Sequence, residues 1–140
     1  MSNSIITLYR RQALCQYTAG AISSIAPINR IKFGSGGADP GTGQAIPPSP
    51  TQPDLTTPIT NGGPNDDGYF PIDSGFPTFP LTPPTTARYQ VTIPAAQLGG
   101  QTINEAALVD SSGNVHAIQT MSSKIKDAGV TFTFTFDDVF

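Results

Sequence analysis

The feature that most limits this chain is the stretch Gly34 to Pro84, which no regular element can occupy for long. It holds 12 of the 14 prolines and nine of the 14 glycines in a chain of 140 residues, and it contains no lysine or arginine. Proline lacks the backbone N–H and clashes with the preceding helical turn, and it interrupts a strand ladder anywhere but at an edge. A structureless run of this length is unusual inside a compact domain. Five of the ten acids fall here: Asp39, Asp54, Asp66, Asp67 and Asp73. Disordered linkers are poor in aromatics, yet Tyr69, Phe70, Phe76 and Phe79 lie close together, with Ile72 and Leu81 beside them. The sequence predicts that Asp67 to Thr82 is an extended binding arm whose four rings anchor an interface. Gly34 to Asn65 reads as its flexible approach, with some short ordered pieces.

The flanks read differently. Ile5, Tyr9, Ala13 and Tyr17 are spaced by four, Ile6 joins one flank, and Leu8, Leu14 and Cys15 widen the stripe. That pattern predicts an amphipathic helix with Arg10, Arg11, Gln12 and Gln16 on the wetter side, capped by Ser4 or Thr7 and ended by Gly20. Ala21 to Ala26 is expected to form a short helical turn stopped by Pro27, and Ile28 to Phe33 a strand. Beyond residue 84 the pattern is β. Tyr89, Val91 and Ile93 alternate with polar residues, and Ile103 to Val109 is a mainly apolar strand. Asp110 to Asn114 is a hairpin loop in which Gly113 is free to take positive φ, and Val115 to Thr120 returns. Val130, Phe132, Phe134 and Phe136 alternate with threonines. The four strands predict one antiparallel sheet, covered by the helix or by a second sheet. The fold class expected is therefore mainly β with one N-terminal amphipathic helix (α+β), an antiparallel β-sandwich-like domain with a long Pro/Gly-rich arm. One structural domain divides into 1–33 (helix and first strand), 34–84 (arm) and 85–140 (antiparallel β region).

Little chemistry is on offer. His116 is the only histidine and Cys15 the only cysteine. A zinc set of the usual kind and a Ser/His/Asp or Cys/His arrangement with a choice of partners are both out of reach. The expectation is no enzyme, no catalytic residue, no metal and no cofactor. A net charge of -3 with seven scattered basic residues argues against a nucleic-acid surface. Cys15, in an apolar stripe, reads as a buried thiol. No apolar run approaches the roughly 20 residues that cross a bilayer. The pair Arg10–Arg11 follows Ile5–Ile6 instead of preceding a longer apolar run, so no secretory signal is read. Asn61, Asn65, Asp66, Asp67 and Asp73 offer oxygen ligands but match no EF-hand spacing, and read as a solvated turn. Gly34-Ser35-Gly36-Gly37 follows a strand like a phosphate loop, yet lacks the Lys-Ser/Thr ending and any following helix.

Glu105, the only glutamate, sits in an apolar strand, where a carboxylate costs free energy unless hydrogen-bonded. Only Asp110 across the turn offers a second carboxylate. The expectation is that Glu105 accepts bonds from backbone N–H groups of a neighbouring loop and pins it. His116 is expected on a wet sheet face. The Phe/Thr strand reads as core or subunit interface. A bare edge there is an aggregation hazard, so the strand is expected to be central or paired with another chain.

The run Asn104-Glu105-Ala106-Ala107-Leu108-Val109-Asp110-Ser111-Ser112-Gly113-Asn114 resembles the N-E-x-G-L-x-D-x-x-G-N hairpin of phage tail-fibre N-terminal (attachment) domains and baseplate fibre-adaptor proteins. That family also has a Gly-rich turn after an early strand, as Phe33 to Gly37 here, and often a Pro-rich stretch, as Ile46 to Thr51. A strand like Tyr89 to Ile93 precedes its hairpin. The order of pieces agrees from about Ile28 to Phe136, with Ala107 in place of the usual hairpin glycine. The resemblance marks Asn104, Glu105, Asp110 and Gly113 as the structural hairpin. With no shaft or receptor-binding tip after Phe140, it implies the attachment domain standing alone. The protein would be a virion structural component of a bacteriophage tail, an adaptor assembled in the host cytoplasm. Its partners would be other tail or baseplate proteins and copies of itself, without nucleic acid or membrane insertion. Two rivals come from other classes: a small carbohydrate-binding β-sandwich using Tyr69, Phe70 and the acidic loop, and a glycosidase-like enzyme resting on Glu105 and Asp110.

Overall fold

A computed structural model describes residues 3–140. It contains seven strands and one helix: β1 (Asn3–Ile6), α1 (Leu8–Thr18), β2 (Ile28–Gly34), β3 (Tyr69–Pro71), β4 (Thr86–Ile93), β5 (Thr102–Asp110), β6 (Val115–Ile125) and β7 (Phe132–Val139). The fold is mainly β, and every strand pairing within the two sheets is antiparallel. A five-stranded sheet has the order β1-β6-β5-β2-β3, and β4 pairs with β7 in a separate two-stranded sheet. The four C-terminal strands, expected in one sheet, are thus divided between two. The Pro94–Gly100 break between β4 and β5 is where the chain leaves one sheet for the other.

The two sheets share a core. Ile31 and Phe33 of β2, Phe70 of β3 and Leu108 of β5 cluster with Tyr89, Val91 and Ile93 of β4 and with Phe134 and Phe136 of β7. The rings meet edge to face, the favoured geometry for aromatic quadrupoles. Phe33 lies 5.7 Å from Phe70 and 5.3 Å from Phe134, centroid to centroid. On the opposite face of the five-stranded sheet, Leu55 packs with Ala107, Val109, Val115 and Ile118. β5 is therefore covered on both faces, and eight of its nine residues are buried. That explains why its sequence is a continuous apolar run instead of an alternation.

The N-terminal segment departs from its predicted form. Ile5 and Ile6 belong to β1, opposite Ile118 and Ala117, and not to the helix. Thr7 ends that strand in an extended conformation (φ -68°, ψ 160°) and caps α1 by accepting from the Arg10 N–H, while its hydroxyl donates to the Val115 carbonyl at 2.6 Å. The helix buries only Arg10 and Ala13. Arg10, expected on the wetter side, is buried because Asp138 receives it; Cys15, expected inside, is exposed. Ala21 to Ala26 forms no helical turn.

Gly34 to Pro84 folds against the rest of the chain instead of standing off as an arm. Tyr69 to Pro71 joins the sheet edge beside β2. Isolated bridges link Gly34 to Pro58, Ala38 to Ala45 and Thr78 to Arg88. Phe70, expected at an interface, is only 2% exposed in the chain's own core. Tyr69 and Phe76 are half-buried, and of the four arm rings only Phe79, at 60%, lies in solvent.

Candidate functional site

The polar groups of β5 and its turn gather in two clusters. The first forms at the start of β5, where a register shift lies between Ile103 and Glu105. Glu105 bonds to the chain on both sides of residues 38–55, and Asn104 to the side that precedes them. Glu105 is fully buried. Its Oε1 accepts from the Thr56 N–H at 3.0 Å, and its Oε2 accepts from Thr57 at 2.8 Å and Gly36 at 3.0 Å. Asn104 Oδ1 accepts from the Gly37 N–H at 2.7 Å, and its Nδ2 donates to the Ser35 carbonyl and the Ser123 hydroxyl. A carboxylate in an apolar strand is tolerable only with such donors around it. The glycines are needed for closeness. A Cβ on Gly34 would overlap the Glu105 carboxylate, and one on Gly37 would overlap the Asn104 carbonyl. The phosphate-loop look of Gly34 to Gly37 thus has a limited physical content: one of its N–H groups, that of Gly36, faces an anion, the protein's own glutamate, while Gly37 N–H meets the Asn104 amide and Ser35 N–H the Thr57 carbonyl.

The second cluster closes the β5–β6 hairpin. Asp110 is buried, and its Oδ1 accepts from the N–H groups of Ser112 at 2.8 Å and Asn114 at 3.0 Å. Its Oδ2 lies 2.8 Å from His116 Nε2. Gly113 takes φ 91°, the conformation that the tight turn requires. Burial pushes the Asp110 carboxyl up, but the bonds from His116, Asn114 and Ser112 outweigh it and hold the group below its usual range. His116, expected on a wet face, is 3% exposed. The reason is the register shift between Leu108 and Val109, which turns His116 toward Asp110, and the Tyr9 ring, which stands edge-on at 5.4 Å. Asn114 Nδ2 donates to the Tyr9 hydroxyl and so joins the hairpin to α1.

Further buried charges, the Arg10–Asp138 pair and Lys126 among them, escaped the sequence reading. Arg10 donates to both oxygens of Asp138 at 2.6 and 2.7 Å, and its guanidinium lies 4.6 Å from the Phe140 ring centre. The signal was present: Asp138 continues the parity of Phe132, Phe134 and Phe136, so it faces inward. Lys126 is also buried, with Nζ near the carbonyls of Ala95 and Asp127. Its position after the exposed run Ser122 to Ile125 gave no such warning.

The acidic loop is dispersed. Asp66 accepts from Gly62 N–H, Asp67 from Tyr69 N–H, and Asp73 from Gln90 and Thr92 side chains. Among the described residues no group of three His, Cys, Asp or Glu is placed to hold a metal ion. Glu105 and Asp110 are five residues apart on one strand, about 16 Å at ~3.3 Å per residue. Paired glycosidase carboxylates stand about 5–10 Å apart. No helix among the described residues is long and apolar enough to cross a membrane. No protein-family model, curated protein or solved structure matches the chain.

Proposed function

We propose that the protein is a structural component of a bacteriophage tail, an adaptor in the baseplate or tail-fibre attachment region that works through subunit contacts. In this reading the domain is a small β-sandwich, with the β4–β7 pair facing the larger sheet. The observation that carries the proposal is the union of two distant sequence pieces. The Gly-rich turn after β2 and the Asn104-Glu105 start of the hairpin are two pieces of the ordered set that carries the tail-fibre resemblance. They are hydrogen-bonded to each other through Gly36 and Gly37, so they act as one motif. The carbohydrate-binding alternative loses its rings: Phe70 is in the core, and Arg30 lies 4.1 Å over the Tyr69 face. Phe79, Leu81 and Phe140, three of the exposed large apolar groups, are of the kind that a contact surface of an adaptor needs.

Gold-labelled antibody against the protein, applied to purified phage particles from the source of this sequence, tests the proposal. Label at the tail end or fibre base is expected. Particles lacking the protein, or label on the capsid alone, would overturn it.

A further inference from the structure

The two-stranded sheet leaves one strand half used. β7 pairs with β4 from Phe132↔Ile93 to Val139↔Thr86. The outer edge of β4 is occupied: Arg88 exchanges both backbone bonds with Thr78, and the Gln90 carbonyl accepts from Asp73. Arg88 therefore bonds away from β7, and its partner Asp137 has its own N–H and C=O on the far side. The antiparallel alternation extends this to Thr133, Thr135 and Val139. The bond from Phe140 N–H to the Thr85 carbonyl has the complementary parity. Among the described residues, none of the backbone groups of Thr133, Thr135 and Asp137 on that far side has a protein partner.

This edge is open and undefended. Two clefts of about 470 and 170 Å³ run along it, between β7 and the strands β6 and β1 of the other sheet. Natural edges are blunted by lysine, proline, bulges or covering loops. β7 has no lysine, proline or glycine, and its register with β4 is unbroken. Its acids are neutralised from within the chain, Asp137 by Arg88 and Asp138 by Arg10.

We infer that β7 docks against β7 of a second copy of this chain, antiparallel about a two-fold axis through Thr135. The choice of occupant rests on self-complementarity. Thr133 then faces Asp137 of the partner and Thr135 faces itself, so each pair exchanges both backbone bonds. The acidic end of each strand lies beside the neutral end of the other. There Lys124, exposed and without an ion pair among the described residues, lines the larger cleft. The result is a four-stranded sheet, β4-β7-β7-β4, continuous across the dimer. This inference does not depend on the phage reading.

Sedimentation equilibrium of the purified chain is expected to show a reversible monomer–dimer equilibrium. Thr135→Pro removes an N–H that β4 does not use, and should weaken association by at least about tenfold with little change in the melting temperature. A second measurement covers the case in which that variant misfolds. In a Cys15→Ser background, Thr135→Cys should oxidise to a covalent dimer, because the two Cα atoms would be about 5.5 Å apart. A chain that stays monomeric at every concentration, a dimer that Thr135→Pro leaves intact, or a Thr135→Cys that does not cross-link would each overturn the inference.

Discussion

The Gly34–Pro84 stretch and the β region from Thr85 onward are ordered by different means. In the β region, ladders between strands satisfy the backbone, and alternating side chains fill the core. In the Pro/Gly stretch the prolines remove donors; the remaining N–H groups are divided between scattered backbone bonds, such as Ser35 to Thr57 and Ile59 to Phe33, and side-chain acceptors that include Glu105, Asn104, Asp66 and Gln97. The difference teaches that a segment without any period can still be fixed, provided a neighbouring strand lends it acceptors. Where no ladder reaches, such a segment leans on single side chains, whereas a ladder distributes its stability over many bonds.

The largest effect should come from the shared core. Phe134 touches Phe33 and Phe136, one ring in each sheet. Phe134→Ala is expected to cost about 4 kcal/mol, and urea melts should show both regions unfolding together. Separate transitions would mean that the two sheets do not form one cooperative unit. Glu105→Ala separates the regions more sharply. It strips acceptors from three backbone N–H groups, those of Gly36, Thr56 and Thr57. A loss of about 2 kcal/mol follows from the usual cost of leaving such part-buried donors without an acceptor. Hydrogen exchange should quicken at those three amides while the β4–β7 amides stay protected.

The smallest effect is one of pH and belongs to the β region alone. The folded-state pKa of Asp110 is depressed. Its contribution is therefore fully present above the ordinary aspartate range near 3.8 and is lost as pH falls through the lower folded value. Urea melts taken downward from neutral pH should show wild type losing stability in that acid window. Asp110→Asn, already lacking the charged acceptor, should lose less. Equal slopes would mean that the hairpin bonds do not favour the ionised form.

Much of the β region was legible because its signals are local. The Phe/Thr alternation located β7, and Asp110 with Gly113 located the turn. The division of the strands into two sheets was not legible, since an apolar face does not announce which sheet will cover it. His116 was misjudged for a related reason: a register shift moved it off the parity that simple alternation assigns. Glu105 could be read, because a lone carboxylate in an apolar strand must find donors. The donors themselves, Thr56 and Thr57, lie 49 and 48 residues away, and their only mark is a position in a loop. Ile5 and Ile6 had helical spacing yet formed β1, since the β6 edge offered a ladder that the spacing rule does not see.

The grip of Glu105 also has a consequence for what this chain can carry. One carboxylate holds both ends of the loop, at Gly36 and at Thr56 and Thr57, so the closure of that loop is already fixed by a fold element outside it. Near its middle, Ser49 to Thr51 is exposed and makes mainly local bonds. Lengthening a loop whose ends are anchored costs little, about 0.6 kcal/mol for each doubling. The tip can therefore accept added sequence while the sheets beneath it keep their register. The clamp that removes freedom from the loop's ends gives it to the loop's length.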